Sequence, residues 1–147
     1  GRDLIRGRAE LSGTADGSIA TTEIDGGAGN DRIAARAIGE KGGTNTNVSN
    51  VIHGGAGSDR ITAVTDIGSK VSGTATSTLD GGGGDDVIRA GGRSNTSESA
   101  TMTHSATGGD GDDAVSLFSS FNGDDTLPAV CSIPWAQFQS QTKLEQG

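Results

Sequence analysis

GGAGNDRI at residues 26–33, GGAGSDRI at 54–61, GGGGDDVI at 81–88 and GGDGDDAV at 108–115 are four copies of one pattern, Gly-Gly-x-Gly-x-Asp-x-(Ile/Val). Their first glycines stand 28, 27 and 27 residues apart, a near-constant period that marks a repeat architecture. The chain opens on GRDLI, where Gly1, Asp3 and Ile5 match the second half of the pattern one period before Gly29, Asp31 and Ile33. The sequence therefore reads as beginning inside a repeat, and the protein is expected to continue upstream.

Each copy is followed by a short alternating stretch. Ile5, Gly7, Ala9 and Leu11 alternate with Arg6, Arg8 and Glu10; Ile33, Ala35 and Ala37 with Ala34 and Arg36; Ile61, Ala63, Thr65 and Ile67 form a third row. A period of two means strand. A second apolar marker, Ile24, Ile52, Leu79 or Ala106, stands two residues before each turn and ends a Ser/Thr-rich approach such as Ser72 to Thr78. Each repeat reads as turn, strand, looser turn, strand.

A unit of this length cannot bury its own apolar row, whereas stacked units cover one another. The expected fold is all-β, a parallel β-roll or β-solenoid with coils of about 27 residues and one stacked edge of GGxGxD turns. Five coils at roughly 4.8 Å would make a stack on the order of 24 Å long. A thin interior of Ile, Val, Leu and Ala also accounts for the composition: 31% hydrophobic residues, three Phe, one Trp, no Tyr and 26 Gly in 147 residues. Without order such a chain, with net charge −8, would read as disordered.

The turns carry the chemistry. Glycines at the first, second and fourth positions permit positive φ and let backbone carbonyls converge. The aspartate at the sixth position, Asp31, Asp59, Asp86 or Asp113, adds a carboxylate at a fixed offset. Carbonyl and carboxylate oxygens suit a hard cation, and a flexible shell of about six to eight oxygens suits calcium better than magnesium. Of the 19 acidic residues 14 are Asp, concentrated at these turns, which is a cation-site distribution rather than a generally acidic face.

These turns resemble the RTX, or haemolysin-type, calcium-binding repeat, whose motif is GGxGxDxUx with U a large apolar residue. The resemblance spans residues 1–116. It implies a parallel β-roll with calcium between adjacent turns, in a bacterial protein that is secreted, often by a type I system, and folds on meeting external calcium. Carried over by motif position, the ligands are Asp31, Asp59, Asp86 and Asp113 with the carbonyls of Gly26, Gly29, Gly54, Gly57, Gly81, Gly84, Gly108 and Gly111. Four complete turns make three full Ca2+ sites, with one or two partial sites, Asp3 in the half-motif contributing to one. The sequence departs from the family in its spacing, since the typical roll repeats the motif every nine residues and places calcium on both edges. Here the opposite turns, around Gly13–Gly17, Gly42–Thr44, Ser69–Gly73 and Gly92–Asn95, share no aspartate at a fixed place, so one calcium row is expected. Asn122-Gly123-Asp124-Asp125 reads as an ordinary exposed turn.

Other readings are excluded or bland. Phosphate loops of similar composition occur once, before a helix; this motif recurs with no helical pattern after it. A sequence pI near 4.5 disfavours nucleic acid as a partner, and no apolar run is long enough for a membrane span. Cys131 is the only cysteine, so no internal disulfide and no cysteine-based zinc cluster forms. His53 is a variant residue beside its turn, and His104 is expected to face inward among small neighbours. Arg6, Arg8, Arg32, Arg36, Arg60 and Arg89 are accounted for by partial charge balance. Thr74-Ala75-Thr76 and Thr101-Met102-Thr103 suggest an ice-binding or adhesive face, but no matching threonine row in the other coils is expected.

The domain division is a solenoid over residues 1–127 and a cap or irregular tail over 128–147. Phe118, Phe121, Trp135 and Phe138, with Pro128 and Pro134, suggest bulky side chains covering the open end; the stretch from Gln137 to Gly147 is polar and a candidate for disorder. No catalytic site is expected. The functional expectation is an extracellular calcium-stabilised structural or carrier module of an adhesin, toxin or exoenzyme. The alternative is a substrate-binding repeat module of a polysaccharide-modifying enzyme or hydrolase with its catalytic domain upstream, and a cell-surface or polysaccharide partner stays open.

Overall fold

The computed structural model describes residues 1–13, 15–40, 44–69, 71–96 and 100–121, together with the backbone of 143–146. Strands β1 (Leu4–Leu11), β3 (Arg32–Gly39), β5 (Arg60–Ile67), β7 (Val87–Ser94) and β9 (Ala114–Phe121) form one parallel sheet. Strands β2 (Ile19–Asp25), β4 (Thr46–Ala56), β6 (Gly73–Gly83) and β8 (Ala100–Asp110) form the other. Each strand from β1 to β7 pairs with the one two elements further on, so the chain alternates between sheets and each odd–even pair is one coil of a parallel β-solenoid. The expected architecture is the observed one.

The register aligns equivalent repeat positions. Ile5, Ile33, Ile61, Ile88 and Val115 lie side by side in the first sheet; Ile24, Ile52, Leu79 and Ala106 do so in the second. The change of period from 28 to 27 is absorbed on the edge away from the motifs, where Gly39 to Thr46 is one residue longer than Ile67 to Gly73. The motif turns keep one length in all four coils, as stacked turns must if their backbones are to coincide.

Between the sheets lie two apolar clusters. One, beside the motif edge, contains the two ladders just named together with Ala35, Ala63, Ala90 and Leu117. The other, toward the opposite edge, contains Ala20, Ala37, Val48, Ile67, Val71, Ala75, Ala100 and Met102. A polar row that sequence reading did not foresee separates them: Thr22, Asn50, Ser77 and His104 are consecutive partners in the register, and all four are buried. Asn50 Nδ2 donates to the carbonyl of Val64 at 3.0 Å, tying this row to the facing sheet. The ring of His104 fits because its neighbour Gly92 has no side chain; a Cβ there would stand 2.8 Å from Nε2. Gly92 therefore belongs to β7, not to the opposite turn expected to include it.

Neither ring nitrogen of His104 has a hydrogen-bond partner, and burial pushes its pKa down to about 4. Between pH 6.5 and 4 the unfolded chain therefore binds the extra proton. This residue's contribution is fully present above pH 6.5 and falls with decreasing pH, by about 2 kcal/mol at pH 5. In saturating calcium, His104→Leu is expected to lose less stability than the parent between pH 7 and pH 5, read from urea midpoints. Equal losses would contradict the assignment.

One expectation about the last third is corrected. Phe118 projects from the outer face of the first sheet and its ring lies over Gly91, in the space a Cβ would take, so it does not cover the end of the stack. Lys143–Gln146 forms β10, which pairs in parallel with β9, Lys143 opposite Ser116. The unpaired backbone groups of a terminal strand give an extended segment hydrogen-bond partners. Asn122–Asp125, Pro128, Cys131, Pro134, Trp135 and Phe138 lie outside the described residues, as does the side chain of Phe121.

Candidate metal sites

The four motif turns stack on one edge and are joined by side-chain ladders. Each motif aspartate uses Oδ1 to accept the backbone N–H of the aspartate one coil earlier. Asp3 donates to Asp31 at 2.7 Å, Asp31 to Asp59 at 2.6 Å, Asp59 to Asp86 at 2.7 Å and Asp86 to Asp113 at 2.9 Å. A second ladder runs the other way through the fifth motif position. Asn30 Oδ1 accepts from Ser58 N–H at 3.0 Å, Ser58 Oγ from Asp85 N–H at 3.3 Å, and Asp85 Oδ1 from Asp112 N–H at 3.0 Å. Sequence reading had treated that position as variable; its signal is that Asn, Ser, Asp and Asp are all short oxygen acceptors.

The remaining carboxylate oxygens point inward. Oδ2 of Asp31, Asp59 and Asp86 is buried and has no hydrogen-bond partner. Around Gly54 the geometry is explicit: a Cβ there would lie 2.5 Å from the carbonyl oxygen of Gly81 and 2.6 Å from Asp59 Oδ2. Gly26 faces Asp31 Oδ2 and the Gly54 carbonyl in the same way, and Gly81 faces Asp86 Oδ2 and the Gly108 carbonyl. Strand pairing is also interrupted here, running from His53–Asp80 to Gly55–Gly82 and skipping Gly54 and Gly81. The first glycine is thus required for close approach rather than for positive φ, which occurs at the second and fourth glycines, for example Gly55 at 108° and Gly57 at 123°.

Each such space holds a carboxylate oxygen of one coil, without a hydrogen-bond partner, and a carbonyl oxygen of the next. Burial, followed by the neighbouring charges of Asp113, Asp59 and Asp85, pushes the Asp86 carboxyl up to about 6, against the lowering effect of the Asp59 N–H. It remains largely ionised at neutral pH. Buried negative oxygens without donors are costly, and a hard cation with oxygen ligands is what such a donor set fits. Among the described residues no group of three or more His, Cys, Asp or Glu side chains could hold a metal. A site built from one carboxylate and backbone carbonyls does not need one.

Residues 17–37, 45–63 and 72–96 match the RTX calcium-binding nonapeptide repeat in four copies. These repeats are RTX calcium-binding repeats. No curated protein and no solved structure was found to match. The RTX repeat is a structural, calcium-binding unit rather than a catalytic one, and its family is common in secreted bacterial exoproteins. The fourth RTX turn, Gly108–Val115, lies beyond the matched residues yet has the same features: positive φ at Gly109 and Gly111, and an Asp113 carboxylate beside Gly108. No helix among the described residues is long and apolar enough to cross a membrane.

The other candidates are placed as follows. His53 is exposed, with Nδ1 3.8 Å from Asp80 Oδ2. On the opposite edge Asp16 Oδ1 accepts the Thr44 N–H at 2.9 Å, a contact that lowers its pKa. The register joins Thr76 and Thr103 to Ser49 and Thr21, so one hydroxyl row does cross all four strands of the second sheet. Ile19, Glu23, Val51 and His53 interrupt the rows beside it.

Proposed function

We propose that the chain is a calcium-ordered structural or carrier module of a secreted bacterial exoprotein, an adhesin, toxin or exoenzyme. Calcium would lie in one row along the motif edge. Three full sites are proposed: Asp31 with the turn of Gly54, Asp59 with that of Gly81, and Asp86 with that of Gly108. The carbonyls of Gly26, Gly29, Gly57, Gly84 and Gly111 would complete the oxygen shells, with Asp113 closing the row and Asp3 contributing to a partial site at its start. The observation that carries this reading is the set of three buried, unpartnered Oδ2 atoms, each beside the next coil's glycine carbonyl. Bound cations would neutralise the aspartate edge and hold successive coils in register. The chain is proposed to be extracellular, where calcium is abundant, with a solenoid over residues 1–127 and a cap in 128–147 to which β10 contributes.

Magnesium prefers nearly octahedral coordination and retains its waters, so it is expected to support folding poorly. Circular dichroism titrations should place the magnesium midpoint well above the calcium midpoint; equal midpoints would contradict a carbonyl-rich calcium shell. A second reading, a substrate-binding repeat module of a polysaccharide-modifying enzyme, is favoured by one observation, the basic face of the first sheet.

A further inference from the structure

The chain has net charge −8, yet all eight of its arginines lie on or at the start of the first sheet. Strand alternation points seven of them, Arg6, Arg8, Arg32, Arg36, Arg60, Arg89 and Arg93, to the outer face, against two carboxylates there, Glu10 and Asp66. Arg8 pairs with Glu10 and Arg36 with Asp66, each at 2.5 Å. The other five are exposed and have no ion pair among the described residues, so charge balance accounts for only two of the seven. Arg32 and Arg60 are direct register partners, as are Arg8 and Arg36. Like charges side by side on neighbouring strands are destabilising.

Between these side chains runs a groove of about 540 Å³, with Arg6, Arg8, Arg36 and Arg93 at its walls, Ala34 and Val64 on its floor, and one carboxylate, Asp66, which is paired with Arg36. We infer that this face binds a linear polysaccharide bearing carboxylate groups, laid along the stack. The inference deepens the second reading above and rests on the calcium-ordered fold. Guanidinium groups offer forked donors that match carboxylates, and a small aliphatic floor accepts the C–H face of a sugar ring. Two pairs of arginines, Arg8–Arg36 and Arg32–Arg60, stand on successive coils, at the strand spacing of roughly 4.8 Å, an interval comparable to one sugar unit. Single-stranded nucleic acid fits less well, because its binding sites supply aromatic platforms and this floor has none. A bilayer surface is broader than the groove and would not reach Ala34 and Val64.

The test is fluorescence anisotropy of a labelled short oligogalacturonate with the chain in millimolar calcium, with circular dichroism on the same samples. Saturable binding that weakens with salt is expected, with no binding of a neutral oligosaccharide of equal length. Arg6→Gln/Arg93→Gln, which removes two exposed cations that have no ion pair among the described residues, is expected to weaken binding about tenfold while keeping the calcium-induced spectrum. Arg6→Lys/Arg93→Lys should fall between, because it retains charge but loses the fork. Unchanged affinity in the Gln variant overturns the proposal, and it is the result expected if calcium merely bridged the sugar to the aspartate edge. Equal binding of the neutral oligosaccharide, tighter binding of single-stranded DNA or phosphatidylserine vesicles, or undiminished binding in chelator overturns it too. Absence of calcium-induced β-structure would instead overturn the calcium reading, which distinguishes the two failures.

Discussion

In excess chelator the chain is expected to lose most of its β-structure, and to regain it cooperatively as calcium rises toward millimolar concentrations. The interior cannot easily offset the cost of ordering the backbone, because its rows are mainly Ile, Val, Leu and Ala interrupted by Thr22, Asn50, Ser77 and His104. The same fold buries three carboxylate oxygens without donors. A cation that binds only the folded chain contributes about 2.7 kcal/mol per site at 100 times its dissociation constant. Three such sites give about 8 kcal/mol, as large as the whole stability of many domains. Far-ultraviolet circular dichroism checks this, and a β-rich spectrum in chelator, unchanged by calcium, would contradict it.

Asp59→Ala is expected to raise the calcium concentration needed for folding by about tenfold or more, and more than Asp113→Ala does. Asp59 serves two junctions: its Oδ1 accepts from Asp31 N–H, its own N–H donates to Asp86, and its Oδ2 lies beside the Gly81 carbonyl. Its removal leaves a buried N–H without its acceptor, a cost of about 1–3 kcal/mol, and deletes the charged ligand in the middle of the row. In a solenoid with nearest-neighbour coupling, damage in the middle separates the coils on either side, whereas damage at the end shortens the folded array. The Asp59→Ala transition should therefore also broaden. Calcium-titrated circular dichroism of both variants is the measurement, and an equal or larger effect of Asp113→Ala would show that the C-terminal end nucleates the stack.

The fold was readable because a solenoid repeats its decisive residues at fixed spacing: the motif glycines and aspartates, and the apolar residue two positions after each aspartate. What escaped had no such regularity of identity. Thr22, Asn50, Ser77 and His104 form one buried row, but no single residue type links them, and only the pairing register brings them together. The fifth motif position hid its ladder in the same way behind Asn, Ser and Asp. The arginines looked balanced because net charge does not say which face a charge occupies; strand alternation gathers them all on one sheet. The first glycine was credited with positive φ, whereas its role is close approach to the next coil's carbonyl, which depends on a neighbour 27 residues away. Phe118 was misplaced because an aromatic near the end of a repeat array suggests a cap, while a lateral neighbour without a side chain, Gly91, gave its ring a site on the sheet face.

The central claim is that calcium occupies a single row between consecutive RTX turns, and counting bound ions tests it most directly. Equilibrium dialysis with isotopic calcium on the folded chain should give three ions, or four where the Asp3 half-turn contributes, and fewer in Asp59→Ala. A stoichiometry near zero, or a count that Asp59→Ala leaves unchanged, would contradict the account.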